Sequence, residues 1–236
     1  MSKISTGLYI IAFISIAVFS ACGAEDDSSG EGESDGDAEL SESDTESETE
    51  VESESEPLSL KIMTYNVMCI FCGAGYDSWK KRLEYFKDIF QRHDPDILGI
   101  QELFAESDTN DFHADLPDYD VLYFKDDTGE SILTEYPDAS IFYRRGMFEV
   151  LDNGYYWLSE TPDTPWSGGW ADSNLWRIVA WAHFRHIESG REFYFASTHF
   201  DNNYPNQEHS APLVLSKTQP WAERMPVIFV GDFNSK

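Results

Sequence analysis

Short apolar runs, separated by polar segments that contain glycine or proline, recur along residues 58–236. Runs of this kind are typical of β-strands. Ser189 and Gly190 lie between two of the runs and are typical of a hairpin turn. The pattern therefore predicts strands at residues 58–65, 96–101, 119–124, 140–144, 148–151, 155–158, 178–186, 192–198 and 226–230.

Helical periodicity is clear only between the first two predicted strands. Apolar residues recur at the 3.6-residue period in residues 79–92, and Asp77 or Ser78 can cap the start of that helix. A second segment, before the last strand, combines helical and loop features because Pro212 and Pro220 interrupt it. Many strands with few helices between them predict an α/β fold in which two packed sheets carry helices on the outside.

Polar side chains with metal-binding oxygens follow the first two predicted strands. Asn66 ends the region of the first strand, and Glu102 directly follows the second, which is almost entirely apolar. A carboxylate buried there without a partner would be costly, and a divalent cation is one such partner. Oxygen ligands from Glu102 and Asn66 suit Mg²⁺ or Mn²⁺. The alternative is an ordinary turn asparagine and a surface glutamate.

Two later strands also end in pairs of polar residues spaced two apart, so the members of a pair face the same way in an extended chain. In one pair, His199 can donate to a phosphoryl oxygen as negative charge develops, and Asp201 is a second catalytic candidate. In the other, Asp232 can orient or deprotonate a water, and Asn234 can donate to a phosphate oxygen. The alternatives are a hydrogen-bonded structural histidine and an Asx-type turn after the last strand.

The order of these motifs is more specific than any one of them. Thr-Tyr-Asn-Val at 64–67, Gln-Glu at 101–102, Ser-Thr-His-x-Asp at 197–201 and Gly-Asp-Phe-Asn at 231–234 resemble the endonuclease/exonuclease/phosphatase superfamily. The resemblance covers residues 58–234. It implies a four-layer α/β-sandwich of two packed mixed β-sheets flanked by helices. It also implies in-line attack of water on phosphorus, with Mg²⁺ (or Mn²⁺) as cofactor.

The resemblance also assigns roles to individual residues. Glu102 becomes the principal metal ligand and Asn66 the second. His199 stabilises the transition state, while Asp232 and Asn234 position water and phosphate. Contacts with the substrate phosphate are assigned to three residues: Arg177, Asn174 and Tyr143.

The end of the chain departs from the superfamily pattern. In the superfamily, the Gly-Asp-Phe-Asn motif is followed by further strands and by an Asp-His pair whose histidine is the usual general base. Nothing after Asn234 supplies this pair, and His209 precedes the last predicted strand. The resemblance therefore predicts that residues 58–236 form a truncated domain, incomplete at the C-terminus. A catalytically incomplete fragment that only binds metal or phosphate is the non-enzymatic alternative.

The N-terminus has the pattern of an export signal. Lys3 precedes an apolar stretch at residues 8–19, which is shorter than a membrane-spanning helix requires. Cys22 follows Ser20-Ala21 and resembles the lipobox cysteine of bacterial lipoproteins, so residues 1–22 are predicted as a lipoprotein signal peptide with a lipidated Cys22. The alternative is an ordinary secretory signal cleaved near Ala24.

Residues 23–57 are predicted to be a disordered acidic linker. Residues 25–56 carry 16 acidic side chains and no basic one, so they repel one another and cannot bury a core. Without these 16 acids and Lys3, the remaining 28 acidic and 15 basic residues give a net charge of −13. Such a charge does not suggest a broad basic surface for nucleic acid, and it favours a smaller phosphoester.

Two cysteines follow the first motif. Cys69 and Cys72 form a Cys-x-x-Cys sequence without a second pair, so a four-cysteine zinc site within the chain is excluded. In an exported protein, a local disulfide is the expected state.

Together these features predict a Mg²⁺-dependent phosphoester hydrolase of the cell envelope. We expect a monomer that is lipid-anchored to a membrane, with the outer membrane or cell surface favoured over the inner membrane. A phosphodiesterase or nuclease is the first expectation. A phosphomonoesterase acting on a phosphorylated small molecule or lipid headgroup is the second.

Overall fold

The computed structural model describes residues 57–72, 75–124, 138–170 and 175–235. The predicted signal peptide with Cys22, most of the acidic linker and Asn174 lie outside these residues. In chain order, the elements are β1 (Ile62–Asn66), α1 (Trp79–His93), β2 (Ile97–Gln101), α2 (Glu106–Ala114), β3 (Tyr119–Leu122), β4 (Ser140–Arg144), β5 (Phe148–Trp157), β6 (Ile178–His186), β7 (Glu192–His199), α3 (Tyr204–Ala222) and β8 (Val227–Asp232).

The strands form two mixed four-stranded sheets. The first sheet has the order β1-β2-β4-β3, in which β1 and β2 are parallel and the other pairs are antiparallel. The second sheet has the order β5-β6-β7-β8, in which β7 and β8 are parallel and the other pairs are antiparallel. Because each parallel pair ends in a predicted motif, the register of the two sheets decides where the motifs meet.

The two sheets pack face to face, with helices on the outer faces. Side chains alternate across each strand, so Leu98 and Ile100 of β2 face α1 and α2, whereas Ile97 faces the second sheet. On the far side of the second sheet, α3 packs its Val214 and Trp221 against the outer face. The predicted four-layer α/β-sandwich is confirmed. None of the described helices is long and apolar enough to cross a membrane.

Three elements differ from the sequence-based expectation. The strands predicted on either side of Asp152 are one strand, β5, whose pairing with β6 shifts register between Val150 and Asp152. Residues 204–222 form one helix, α3, although Pro212 and Pro220 lie inside it. The unpredicted α2 carries a single large apolar residue, so its sequence lacks the helical period that identifies α1.

The two sheets approach each other closely at Gly99 of β2. A Cβ atom built there would lie 2.5 Å from Cγ2 of Val230 and 2.8 Å from Oγ of Ser197. Both contacts are far inside van der Waals distance, so a methyl group fits only if the neighbouring side chains or the strands that carry them shift. The glycine is therefore required by the close approach of β2 to β7 and β8.

We expect the Gly99→Ala substitution to lower the free energy of unfolding by about 1–3 kcal/mol, the usual cost of overpacking a core. Urea unfolding followed by circular dichroism measures this change. The sign of the change in the free energy of unfolding is diagnostic, because alanine in an open strand position stabilises a protein relative to glycine. A variant as stable as the wild type would contradict the close approach.

Candidate active site

Most of the predicted site residues meet at one end of the sandwich. The parallel strands β1 and β2 end there with Asn66 and Gln101, and β7 and β8 end there with His199 and Asp232. The antiparallel strands β4 and β6 begin at the same end, so the residues that precede them also reach it. Gln101 joins the sheets, because its buried Nε2 donates to Ser197 Oγ at 3.1 Å.

Two carboxylates, from different sheets, meet at the amide of Asn66. Its Nδ2 donates to Oε1 of Glu102 at 2.8 Å and to Oδ2 of Asp232 at 3.0 Å. Its Oδ1 accepts from the backbone N–H of Met68 at 2.8 Å, which forms a local turn. Because the amide nitrogen faces the carboxylates, Asn66 organises Glu102 and Asp232 in this arrangement, and its predicted role as a metal ligand would require the amide to rotate.

The backbone around Glu102 also fixes its carboxylate. Glu102 has a φ of +71°, in the left-handed region that non-glycine residues rarely adopt. Its backbone N–H donates to Asp138 Oδ1 at 2.5 Å, and its Oε2 accepts from the backbone N–H of Cys69 at 2.7 Å. Each carboxylate oxygen of Glu102 therefore has one protein donor and keeps further acceptor capacity.

A buried network of charged and polar groups lies beside the carboxylates. His199 Nδ1 is 2.6 Å from Asp138 Oδ2, which also accepts from NH1 of Arg177. His199 and Asp138 are almost fully buried. On the other side of the ring, His199 Nε2 lies 3.7 Å from Oδ2 of Asp232. Asp138 thus connects the backbone of Glu102, the histidine and the arginine.

The surroundings of His199 favour its neutral form. Burial lowers the pKa of His199, and the neighbouring positive charge of Arg177 lowers it further. In the neutral ring, the single proton is best placed on Nδ1, where Asp138 accepts it. The lone pair of Nε2 would then face Asp232, a protonation state that differs from the donor role predicted from the sequence.

Two further candidates have structural contacts that account for part of their position. Asp201 Oδ1 accepts from the backbone N–H of Asn203 at 2.9 Å, and its Oδ2 accepts from Asn206 Nδ2 at 3.0 Å, so it organises the start of α3. Asn234 N–H donates to Asp232 Oδ1 at 2.9 Å, which forms the Asx-type turn named as the alternative in the sequence analysis. Asn234 Nδ2 donates to the carbonyl of Phe200 at 2.8 Å.

Of the three predicted phosphate contacts, the structure brings one to the site. Arg177 reaches Asp138 and lies 2.8 Å from His199 Nδ1. Tyr143 is not brought to the site, because it pairs with Ile97 at the start of β2 and packs between the sheets. Asn174 lies outside the described residues.

The two cysteines are joined in a disulfide, with their Cα atoms 5.1 Å apart. The disulfide closes the turn after β1, in which Cys72 N–H donates to the carbonyl of Cys69 at 3.1 Å. Their sulfur atoms lie near a carboxylate oxygen of Glu102. While they are bonded to each other, the cysteines supply no thiolate ligands, and Glu102 stays available to a harder cation.

Asp138 is the site residue that sequence reasoning missed. It precedes β4 by two residues, so it lacks the strand-end signal that identified Asn66 and Glu102. The antiparallel register of β2 and β4 pairs Ile100 with Ser140. Continued by two residues, that register sets Asp138 opposite Glu102, which only knowledge of the pairing reveals.

The donor set fits a hard divalent cation. Glu102 and Asp232 offer oxygens on either side of one amide nitrogen, and Asp232 is partly exposed to solvent. Asp138 neutralises Arg177, so these two carboxylates have no directly bonded cationic partner among the described residues. Two carboxylates without a directly bonded cation, at a solvent-accessible edge, suit Mg²⁺ or Mn²⁺, which prefer oxygen ligands and keep several waters.

Comparisons with known proteins identify the family of this chain. The profile of the endonuclease/exonuclease/phosphatase family matches residues 63–236. The chain therefore belongs to the endonuclease/exonuclease/phosphatase family, whose members are phosphoester hydrolases. No curated protein sequence shows a significant match to this chain.

Solved structures of bacterial family members are similar in sequence and fold. A family protein from Bacteroides thetaiotaomicron is 36% identical, with a TM-score of 0.63 over 73% of this chain and 62% of that one. A mannosyl-6-phosphatase from the same organism is 35% identical, with a TM-score of 0.65 over 75% of this chain and 66% of that one. The chain thus spans slightly less than two thirds of the length of these relatives.

The fold similarity extends to a eukaryotic protein. The catalytic domain of human nocturnin is 19% identical, with a TM-score of 0.56 over 74% of this chain and 62% of that domain. At this identity, the similarity concerns the fold alone.

Proposed function

We propose that this protein hydrolyses phosphoester bonds with the aid of Mg²⁺ or Mn²⁺, and that its substrate is a small phosphorylated molecule of the sugar phosphate class. The observation that carries the proposal is the cluster at one end of the sandwich. There the carboxylates of Glu102 and Asp232 meet the buried network of His199, Asp138 and Arg177.

The side chains of the cluster have complementary chemistry for this reaction. When bound, a divalent cation polarises a phosphoryl oxygen and makes a bound water more acidic. Glu102 and Asp232 would hold that cation. Arg177, whose buried Nε lacks a hydrogen-bond partner among the described residues, can donate to a phosphate oxygen. His199 Nε2, beside Asp232, can accept a proton from a water that attacks phosphorus.

Two observations support a small phosphomonoester over a nucleic acid. One of the similar solved structures, at 35% identity, is a mannosyl-6-phosphatase. The charge of the chain after the acidic linker is −13, which repels a polyanion and tolerates a single phosphate more readily. The first expectation from the sequence was a phosphodiesterase or nuclease activity. A panel of substrates distinguishes that activity from the proposed phosphomonoesterase.

The proposal is tested with the full-length protein and a panel of phosphoesters. The panel contains mannose 6-phosphate, glucose 6-phosphate, an inositol phosphate, a nitrophenyl phosphodiester, and single-stranded DNA and RNA. Released inorganic phosphate and shortened nucleic acid are measured with Mg²⁺, with Mn²⁺ and with a chelator. The Glu102→Ala protein, purified in the same way, reports any contaminating phosphatase.

We expect chelator-sensitive release of phosphate from a sugar phosphate. Cleavage confined to the phosphodiester or to nucleic acid would show that the protein is a phosphodiesterase or nuclease and would contradict the proposed substrate class. Hydrolysis that persists in chelator would contradict the proposed cation, and the absence of any hydrolysis would contradict the enzymatic function itself.

We further propose that the domain is tethered to the cell envelope through a lipid on Cys22. The lipobox-like Ser20-Ala21-Cys22 and the acidic segment that follows it support this assignment. A lipid anchor with a long, self-repelling linker would hold the domain away from the membrane surface.

The Cys22→Ala substitution is therefore expected to move the protein from the membrane fraction to the soluble or unprocessed pool, because it removes the acceptor of the lipid. Fractionation and mass spectrometry of the N-terminal peptide measure the change. The matched control is the Cys69→Ser, Cys72→Ser double variant, which should stay in the membrane fraction. Unchanged fractionation of Cys22→Ala, with an unmodified Cys22 in the wild type, would contradict the anchor.

A further inference from the structure

The turn between β1 and α1 is held from the inside by a buried arginine. Arg82 of α1 donates through NH1 to the carbonyl oxygen of Val67 at 2.6 Å and to that of Met68, and through NH2 to that of Cys69 at 3.1 Å. One guanidinium thus gathers three consecutive carbonyls. Its charged group also lies over the ring of Trp79, 5.2 Å from the ring centroid.

The position of Arg82 is costly for folding alone. The residue is 6% exposed, forms no direct ion pair among the described residues, and has a buried Nε without a partner; the nearby negative charge of Glu102 favours its charged form. Burying a charge without a directly bonded carboxylate and leaving a donor unsatisfied both cost free energy. A neutral or apolar residue could fill the same space between α1 and the turn more cheaply. Packing alone therefore does not explain why a charged residue occupies this position.

The turn whose carbonyls Arg82 binds also donates one backbone N–H to Glu102, the candidate metal ligand. Cys69 N–H donates to Oε2 of Glu102 at 2.7 Å. The direction of that N–H depends on the peptide planes of residues 67–69, whose carbonyls Arg82 binds. Met68 has a φ of +55°, so the turn has a backbone conformation that needs support from its surroundings. The Cys69–Cys72 disulfide closes the far side of the same turn.

We propose that Arg82 is a positioning residue for cation binding: its guanidinium fork sets the turn at residues 67–69 so that Cys69 N–H orients the carboxylate of Glu102. The inference rests on the proposed function, because it assumes that Glu102 binds the cation. Lysine cannot replace the fork, since its single ammonium nitrogen cannot align with three carbonyls in this planar geometry.

The experiment measures Mn²⁺ binding directly, by electron paramagnetic resonance titration of the folded protein, so it does not depend on turnover. The variants are Arg82→Lys, which keeps the charge without the fork, and Arg82→Gln, which removes the charge. Near-ultraviolet circular dichroism verifies that each variant is folded. Loss of an outer contact to a metal ligand typically weakens binding 10- to 100-fold. We expect the Kd for Mn²⁺ to rise by about that factor in both variants.

Arg144 provides a matched control. It also lies over an aromatic ring, that of Tyr119 at 5.1 Å, and also donates to a backbone carbonyl, that of Pro95 at 3.3 Å. It is located at the end of β4 remote from Glu102, where Tyr119 and Arg144 are paired. Arg144→Lys should lower the unfolding temperature as Arg82→Lys does, and should leave the Kd for Mn²⁺ within about twofold of the wild-type value.

Arg82→Gln separates positioning from simple electrostatics. A cation near the site repels Mn²⁺, so removal of the charge alone would tighten binding. Tighter or unchanged binding by Arg82→Gln, or wild-type affinity in folded Arg82→Lys, would overturn the inference while leaving the proposed function intact. If the wild-type protein itself does not bind Mn²⁺, the proposed function fails and the inference falls with it.

Discussion

Replacing Glu102 with alanine is expected to abolish cation-dependent hydrolysis. The carboxylate follows β2 and is held by Asn66 and by the backbone N–H of Cys69 at the site edge. A bound cation supplies several kcal/mol of transition-state stabilisation, so its loss should reduce kcat/KM by at least about 10³-fold. The side chain is only partly buried, and unfolding midpoints in urea should stay close to the wild-type value.

Binding and activity are measured together for this variant. Mn²⁺ titration of Glu102→Ala should show no high-affinity site, and the rate with the best substrate should equal that in chelator. The control is Glu106→Ala, since Glu106 is an exposed glutamate at the start of α2. Glu106→Ala should keep both properties. Full activity in Glu102→Ala would show that the cation, if any, binds elsewhere.

Asp138→Asn should have the second largest effect, because one buried carboxylate serves three partners. Asp138 accepts from the backbone N–H of Glu102, from Arg177 and from His199 Nδ1. An amide of the same size cannot accept through both ends, so the ring of His199 loses its fixed tautomer. General acid–base catalysis is typically worth ~10²–10⁴ in rate, and we expect kcat to fall by a factor in that range.

The matched control for this substitution is Asp96→Asn. Asp96 is also a buried carboxylate that accepts from a backbone N–H, that of Lys61 at 2.8 Å, and it lies 3.8 Å from Nε of Arg144. It precedes β2, at the opposite end of that strand from Glu102. Both variants should lose stability, and only Asp138→Asn should lose kcat. Equal kcat in Asp138→Asn and the wild type would show that Asp138 has only a structural role.

The sequence predicted the parts of the site that come directly after strands. β2 is a short run of apolar residues followed by Gln101 and Glu102, and β6 has the bounds that its apolar pattern predicted. Strand-end residues are visible in sequence because a polar group interrupts an apolar run at once. Asp138 and Arg177 precede their strands, and their convergence depends on the pairing of β2 with β4 and of β6 with β7.

The misjudged elements have a common physical cause, which is that tertiary packing outweighed local preference. Pro212 and Pro220 each remove a helical N–H, but α3 continues because Leu213, Val214 and Trp221 pack on the second sheet. In α2, the buried carboxylate of Asp108 accepts from two backbone N–H groups at the helix start. These hydrogen bonds stabilise a helix whose sequence lacks an apolar pattern.

The positive φ of Glu102 has a consequence for engineering. Glu102, Met68 and Asn234 all adopt left-handed backbone conformations around the site, with φ of +71°, +55° and +50°. A non-glycine residue in such a conformation costs on the order of 1–3 kcal/mol. A library selected only for thermostability would therefore enrich glycine at these positions and discard the carboxylate of Glu102. Selection for heat resistance and selection for turnover would therefore favour different residues at this end of the sandwich.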